Sequence, residues 1–225
     1  MGLLLNAYRY CEACGDPSRI AEMVPGTTVI PLVRDNDHGY IAIEPTRLVA
    51  CFAGSDDLKD WISNLKFMRL REGNTIHEGF YDTWKAFKDE CQKIVIQYLI
   101  DCQKEKKDTV ICSRGHSRGA AVAAMFIRDV AKNLGIDCSN ERSIVFGMPQ
   151  IGNEQAQDEF NALPINFITV ENGLDPICHV PLWDMGFREW GRRKIKIQVS
   201  PLRNLPIVRS WNHIRYREEL EKKDM

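Results

Sequence analysis

At 225 residues the chain has the length of one domain. A chain of this size buries roughly 70% of the surface its unfolded form exposes, so folding requires neither disulfides nor a metal. Apolar residues make up 44% and charged residues 27%, which excludes a disordered, coiled-coil or collagen-like chain, and a formal net charge of −1 leaves no basic field for a nucleic-acid backbone.

The chain opens with MGLLLNAYRY, which has three leucines but no basic n-region, so no secretory signal is expected. Asn6 stands where a myristoylation-type start carries Ser or Thr. Cys11 and Cys14 form a C-x-x-C without a second pair or a following His pair, a weak basis for zinc. The eight cysteines are scattered, several of them inside apolar runs where a free thiol packs as a small hydrophobe. Reduced thiols and a cytoplasmic location follow as expectations, export by a route without a signal peptide being the other option. The longest apolar run, around Gly119 to Ile127, is far shorter than the roughly 20 residues of a membrane-crossing helix.

Strands are expected over Thr27–Val33 and Gly39–Ile43, joined by the turn-rich Asp35-Asn36-Asp37-His38, and over Arg47–Phe52, which is apolar enough to be buried on both faces. Phe80, Trp84, Phe87, Cys91, Ile94 and Tyr98 recur at helical spacing, predicting a long helix over Phe80–Lys107 that ends in a solvated charge run. Thr109–Cys112 reads as a short strand, followed at once by Gly115-His116-Ser117-Arg118-Gly119 and an alanine-rich helix closed by Gly135. Further strands are expected at Arg142–Phe146, Ile165–Val170 and Lys194–Val199, with a last helix from about Trp211 to Lys223. Strands alternating with helices predict an α/β fold with a mostly parallel central sheet flanked by helices.

The strand–glycine turn–helix junction carries the chemistry. G-x-S-x-G places a serine on a strained turn, and Gly115 and Gly119 let strand and helix approach without a Cβ between them. The helix N-terminus behind Ser117 offers backbone N–H groups to a developing oxyanion. A serine nucleophile needs a base, and in this arrangement acid and base follow it in the chain. Only His179 and His213 follow Ser117. His179 lies four residues after Asp175 and shares its loop, whereas His213 falls between the last strand and the last helix, where a loop can aim it at the strand ends. His213 is therefore the expected base. Asp175, just beyond the strand Ile165–Val170, is the expected acid, with Asp184 and Glu171 as weaker rivals.

These residues resemble the class 3 lipases of the α/β-hydrolase type, a family that includes the fungal triacylglycerol lipases. The likeness runs from about Arg47 to Tyr216 and rests on Leu48–Ser55, Asp60-Trp61, His77-Glu78-Gly79-Phe80, the Ser117 elbow, Phe146–Asn153, Asp175-Pro176 and His213. It implies one catalytic domain over residues 1–225 that cleaves acyl esters of lipids through a Ser117–Asp175–His213 triad and an acyl-enzyme, without metal or cofactor. It also implies oxyanion donors at Ser55 and the Arg118 backbone N–H, and a lid at 56–70, where Leu58, Trp61, Ile62 and Leu65 fall at amphipathic spacing. The partners implied are a lipid or small ester substrate and transient contact with a lipid surface. Three positions depart from the family's pattern: Ala53 where Arg is usual, Arg118 where Leu is usual and Ala120 where a second glycine is usual. Other readings are an inactive lipase-like interaction module, and a thioesterase or peptidase on the same scaffold.

Overall fold

The computed structural model describes residues 2–54, 75–181, 185–198 and 212–223. Its centre is a sheet of seven strands that lie side by side in chain order: β1 (Thr28–Arg34), β2 (Asp37–Ile43), β3 (Leu48–Phe52), β4 (Ile111–His116), β5 (Cys138–Phe146), β6 (Ile165–Asn172) and β7 (Arg193–Ile197). The first two joins are antiparallel, Gly39 pairing with Phe52 and Leu32 with Gly39, and every join from β3 to β7 is parallel. All seven expected strands are present, each within a few residues of its expected bounds. The parallel strands β3 and β4 are buried along nearly their whole length, as strands covered on both faces must be.

Helices cover both faces of the sheet. On one side lie α3 (Glu78–Glu105) and α4 (Arg118–Asn133), whose Phe80, Trp84, Phe87, Cys91 and Val95, with Phe126, Ile127 and Val130, pack with Phe52 and Ile111 in the main core. His77 caps α3, its Nδ1 accepting the Gly79 N–H at 3.1 Å. The helix α5 (Glu154–Ala162) starts at Asn153, whose side chain accepts from the Ala156 N–H at 3.0 Å. On the other face, α1 (Leu3–Glu12) buries Leu5, Ala7, Tyr8 and Tyr10 and packs beside α6 (Tyr216–Lys223); a short α2 (Arg19–Met23) leads into β1. Neither α1 nor α5 was expected from the spacing. Among the described residues no helix is long and apolar enough to cross a membrane.

Candidate active site

The elbow is built by close approach. A Cβ on Gly119 would collide with the carbonyl of Phe52, and one on Gly115 with the carbonyl of Gly119, so β3, β4 and the start of α4 meet at distances that only glycine permits. Between the two glycines, Ser117 takes φ +59° and ψ −130°, a conformation that L-residues rarely adopt. Its N–H donates to the Phe146 carbonyl at 2.9 Å, which clamps the elbow to the end of β5. Such strain persists only where the surroundings over-determine it, and it lifts the serine to the C-terminal end of the parallel strands. A hollow of about 910 Å³, lined by Glu44, Thr46, Tyr98 and Val110 among others, lies at the opposite ends of β3 and β4, away from these residues.

Asp175 follows β6 and starts a 3-10 turn, Pro176–His179. One carboxylate oxygen, Oδ1, accepts the Ile177 N–H at 2.9 Å; the other, Oδ2, lies 2.8 Å from His213 Nδ1 and 2.8 Å from the Tyr216 hydroxyl. Asp175 and His213 are 0% and 1% exposed. A buried carboxylate held by three donors keeps its partner imidazole in one orientation and one tautomer, with the proton on Nδ1 and the lone pair on Nε2. His213 Nε2 and Ser117 Oγ are both buried and have no hydrogen-bond partner among the described residues. Gly147 leaves the room for this pair, since a Cβ there would stand 2.8 Å from His213 Cε1 and 2.9 Å from Asp175 Oδ2.

His116 ties the elbow to the His213 segment. Its ring stacks on that of His213 with centroids 4.6 Å apart, and its Nε2 donates to the His213 carbonyl at 2.9 Å. Burial, and then the proximity of His213, lower its pKa to about 3, so it stays neutral beside the imidazole. Tyr8 of α1 packs edge-on against His116 at 5.8 Å and stacks on Tyr216 at 5.9 Å, closing the rear of the site.

The structure brings several of the expected residues close to one another. Ser117 with its neighbours Gly115, His116, Arg118 and Gly119 stands at the elbow, and Asp175 with His213 forms a hydrogen-bonded pair that touches it through His116. Gly54, at the end of β3, approaches so closely that a Cβ on it would lie 3.3 Å from Ser117 Cβ. Ser55, the 56–70 segment and Asp184 lie outside the described residues. Of the rivals, Glu171 and His179 pair with each other at 3.1 Å, and Glu171 also holds Lys194 at 2.7 Å, so neither joins Ser117. The guanidinium of Arg118 is paired with Asp37 of β2, which offsets the charge that this unusual residue brings to the mouth of the site. Tyr216, Gly147 and Asn172, whose amide donates to the Asn212 carbonyl at 2.8 Å, were not anticipated. Tyr216 lies three residues beyond His213, and that spacing at the start of a helix is the one sequence signal that could have marked it.

The family model described as Lipase (class 3) matches residues 49–185. A secreted mono- and diacylglycerol lipase of Malassezia restricta is 32% identical over 118 residues, 52% of this chain and 37% of that protein. A phospholipase A1-II of Oryza sativa subsp. indica is 24% identical over 199 residues, 73% of this chain and 48% of that protein. Among solved structures, the Rhizomucor miehei triacylglyceride lipase superposes with a TM-score of 0.74 at 18% identity, covering 95% of this chain and 91% of that one, which shows the α/β-hydrolase fold. The chain spans about half or less of the length of these curated relatives. The relatives also correct one expectation: several Malassezia proteins that match are named as secreted, against the cytoplasmic location inferred from the opening residues and the free thiols. The opening residues were a poor guide because the point at which a sequence begins says nothing about what precedes it. With its family model matched over residues 49–185, more than half of the chain, the chain belongs to the class 3 lipases.

Proposed function

We propose that this protein is a serine carboxylic-ester hydrolase acting on acyl esters of lipids. Ser117 Oγ attacks the ester carbonyl as His213 Nε2 takes its proton, and Asp175 fixes the imidazole and stabilises the imidazolium that forms. The Arg118 backbone N–H, at the positive end of α4, and Ser55 receive the charge that develops on the carbonyl oxygen. His213 then returns the proton to the departing alcohol, leaving an acyl-enzyme on Ser117 that water clears by the reverse sequence. The observation that carries this reading is the buried His213–Asp175 pair beside a strained serine, with Ser117 Oγ and His213 Nε2 both buried and without a hydrogen-bond partner among the described residues. Acylglycerols and glycerophospholipids are the substrate classes that the relatives' names support.

The deciding experiment is labelling with a fluorophosphonate followed by peptide mapping, with and without detergent, beside Ser117→Ala. Labelling on Ser117, absent in the variant, is the expected result, and dependence on detergent would point to a cover that opens at lipid surfaces. If the folded protein is not labelled in either condition, the serine is not activated, and the inactive interaction module becomes the better description.

A further inference from the structure

The N-terminal segment carries thiols for which ester hydrolysis has no use. Cys14, in the 3-10 turn Ala13–Gly15 that follows α1, donates its S–H to the sulfur of Cys51 on β3 at 3.6 Å, and both side chains are buried. Cys11, one turn earlier, donates to the Ala7 carbonyl at 3.8 Å. Arg114 of β4 lies level with Cys51 in the β3–β4 register, and its guanidinium bonds the Ser113 carbonyl at 2.9 Å and the Arg142 carbonyl at 2.5 Å. Burial by itself raises the Cys51 thiol, while the Cys14 S–H that it accepts and the Arg114 charge pull it below its ordinary value. Cys14 is raised well above its own by the bond to Cys51 and by burial. The Cys14 S–H thus points at the Cys51 sulfur, and the two sulfurs lie in direct contact.

A cavity of about 320 Å³ leads to these thiols, with Cys11, Cys14, His38, Gly54 and His116 in its wall and Cys51 directly behind Cys14. Among the described residues no three His, Cys, Asp or Glu side chains are placed to hold a metal ion. What the arrangement does offer is two sulfurs in contact, one of them reachable, which is the requirement for thiol–disulfide exchange.

We infer that Cys14 and Cys51 form a thiol–disulfide site, converted to a disulfide by a small organic disulfide that enters this cavity. Cys14, in the cavity wall, gives its proton to solvent and attacks one sulfur of the oxidant; a Cys14–sulfur bond forms, and the oxidant's S–S bond breaks. The first leaving thiolate takes the proton from Cys51. Cys51 then attacks the Cys14 sulfur, the protein disulfide forms, and the second leaving thiolate takes its proton from solvent. The two cysteine sulfurs are oxidised by two electrons in all, and the oxidant is reduced to two thiols. The new bond would join residues 37 positions apart and staple the N-terminal turn to β3, three residues before Gly54.

The test is incubation of the native protein with bis(2-hydroxyethyl) disulfide, quenching with N-ethylmaleimide in denaturant, and non-reducing peptide mapping. Cleavage after Glu12 separates Cys11 from Cys14. The expected result is a Cys14–Cys51 cross-link in the parent and in Cys11→Ala, none in Cys14→Ala, and a higher urea midpoint for the oxidised parent that Cys14→Ala does not share. Recovery of all eight cysteines as maleimide adducts overturns the inference, and so does a cross-link that runs through Cys11. The Cys11→Ala result keeps the test decisive should Cys14→Ala fail to fold. Because none of these readouts involves ester hydrolysis, the outcome is independent of the activity proposed above.

Discussion

Tyr216 places its hydroxyl 2.8 Å from the same oxygen of Asp175 that bonds His213, while also receiving the Asn172 N–H at 3.1 Å. The phenol has one proton and two acceptors in reach, Asp175 at 2.8 Å and the Val170 carbonyl at 3.2 Å; the shorter bond to the charged group takes it. Tyr216→Phe should cost about 1–3 kcal/mol in urea unfolding, because it orphans the Asn172 N–H and loosens a buried carboxylate. Ser117 labelling should slow several-fold with the protein still folded. An unchanged urea midpoint would mean that the phenol does not support Asp175.

Asp175→Asn keeps the shape of the side chain but can present an amide to His213 Nδ1, favouring the wrong tautomer. The rate of ester hydrolysis should fall by about 10⁴, as for other orienting carboxylates. Steady-state turnover of a short-chain nitrophenyl ester measures it, and a loss under tenfold would remove Asp175 from the catalytic reading.

Arg118→Leu tests whether the residue after the serine acts through its backbone. The N–H survives the change, whereas losing an oxyanion donor typically lowers turnover about 10²- to 10³-fold. Turnover should therefore change by less than about tenfold. Stability should fall by about 1 kcal/mol or less, the usual worth of a partly exposed pair such as that with Asp37. A collapse of turnover in a folded variant would assign the guanidinium a direct role.

Gly119→Ala would push a methyl group into the Phe52 and Ala53 carbonyls, which are backbone and cannot swing aside. Overpacking of this kind costs about 1–3 kcal/mol or more, so a lowered melting temperature and lost labelling should appear together. A melting temperature equal to that of the parent would show that β3 and α4 are not packed as described.

His116 makes stability depend on pH. Its pKa falls from 6.5 to about 3 on folding, so below pH 6.5 the unfolded chain binds the proton that the folded chain refuses. The stabilisation is complete above pH 6.5 and is lost towards pH 3, by about 1.4 kcal/mol per pH unit. His77, lowered to about 4 by burial, adds to the same slope. His116→Phe should give a shallower decline in urea midpoint between pH 7 and pH 4.5 than the parent, and equal slopes would show that His116 is not held neutral.

Much of this molecule was legible before any coordinates. The seven strands showed because apolar β-rich runs bounded by Gly, Asp and Asn are a local property, and the elbow showed because a glycine two residues either side of a serine is a short-range requirement of a tight strand–helix turn. Asp175 and His213 could be nominated by chain order, since both follow Ser117 and sit beside strand ends. The tertiary structure alone decided the rest. The stacking of His116 on His213 joins residues 97 apart, the Arg118–Asp37 pair spans 81, and Asp175 reaches Tyr216 across 41. The helix α1 escaped notice because its buried tyrosines break a simple apolar stripe, and its value lies in packing Tyr8 and Tyr10 against strands that come later in the chain. Sequence spacing determines which chemical groups reach the strand ends; which of them share a proton is set by how the layers close over the sheet, because a hydrogen bond of 2.8 Å is decided by packing over distances that no local pattern encodes.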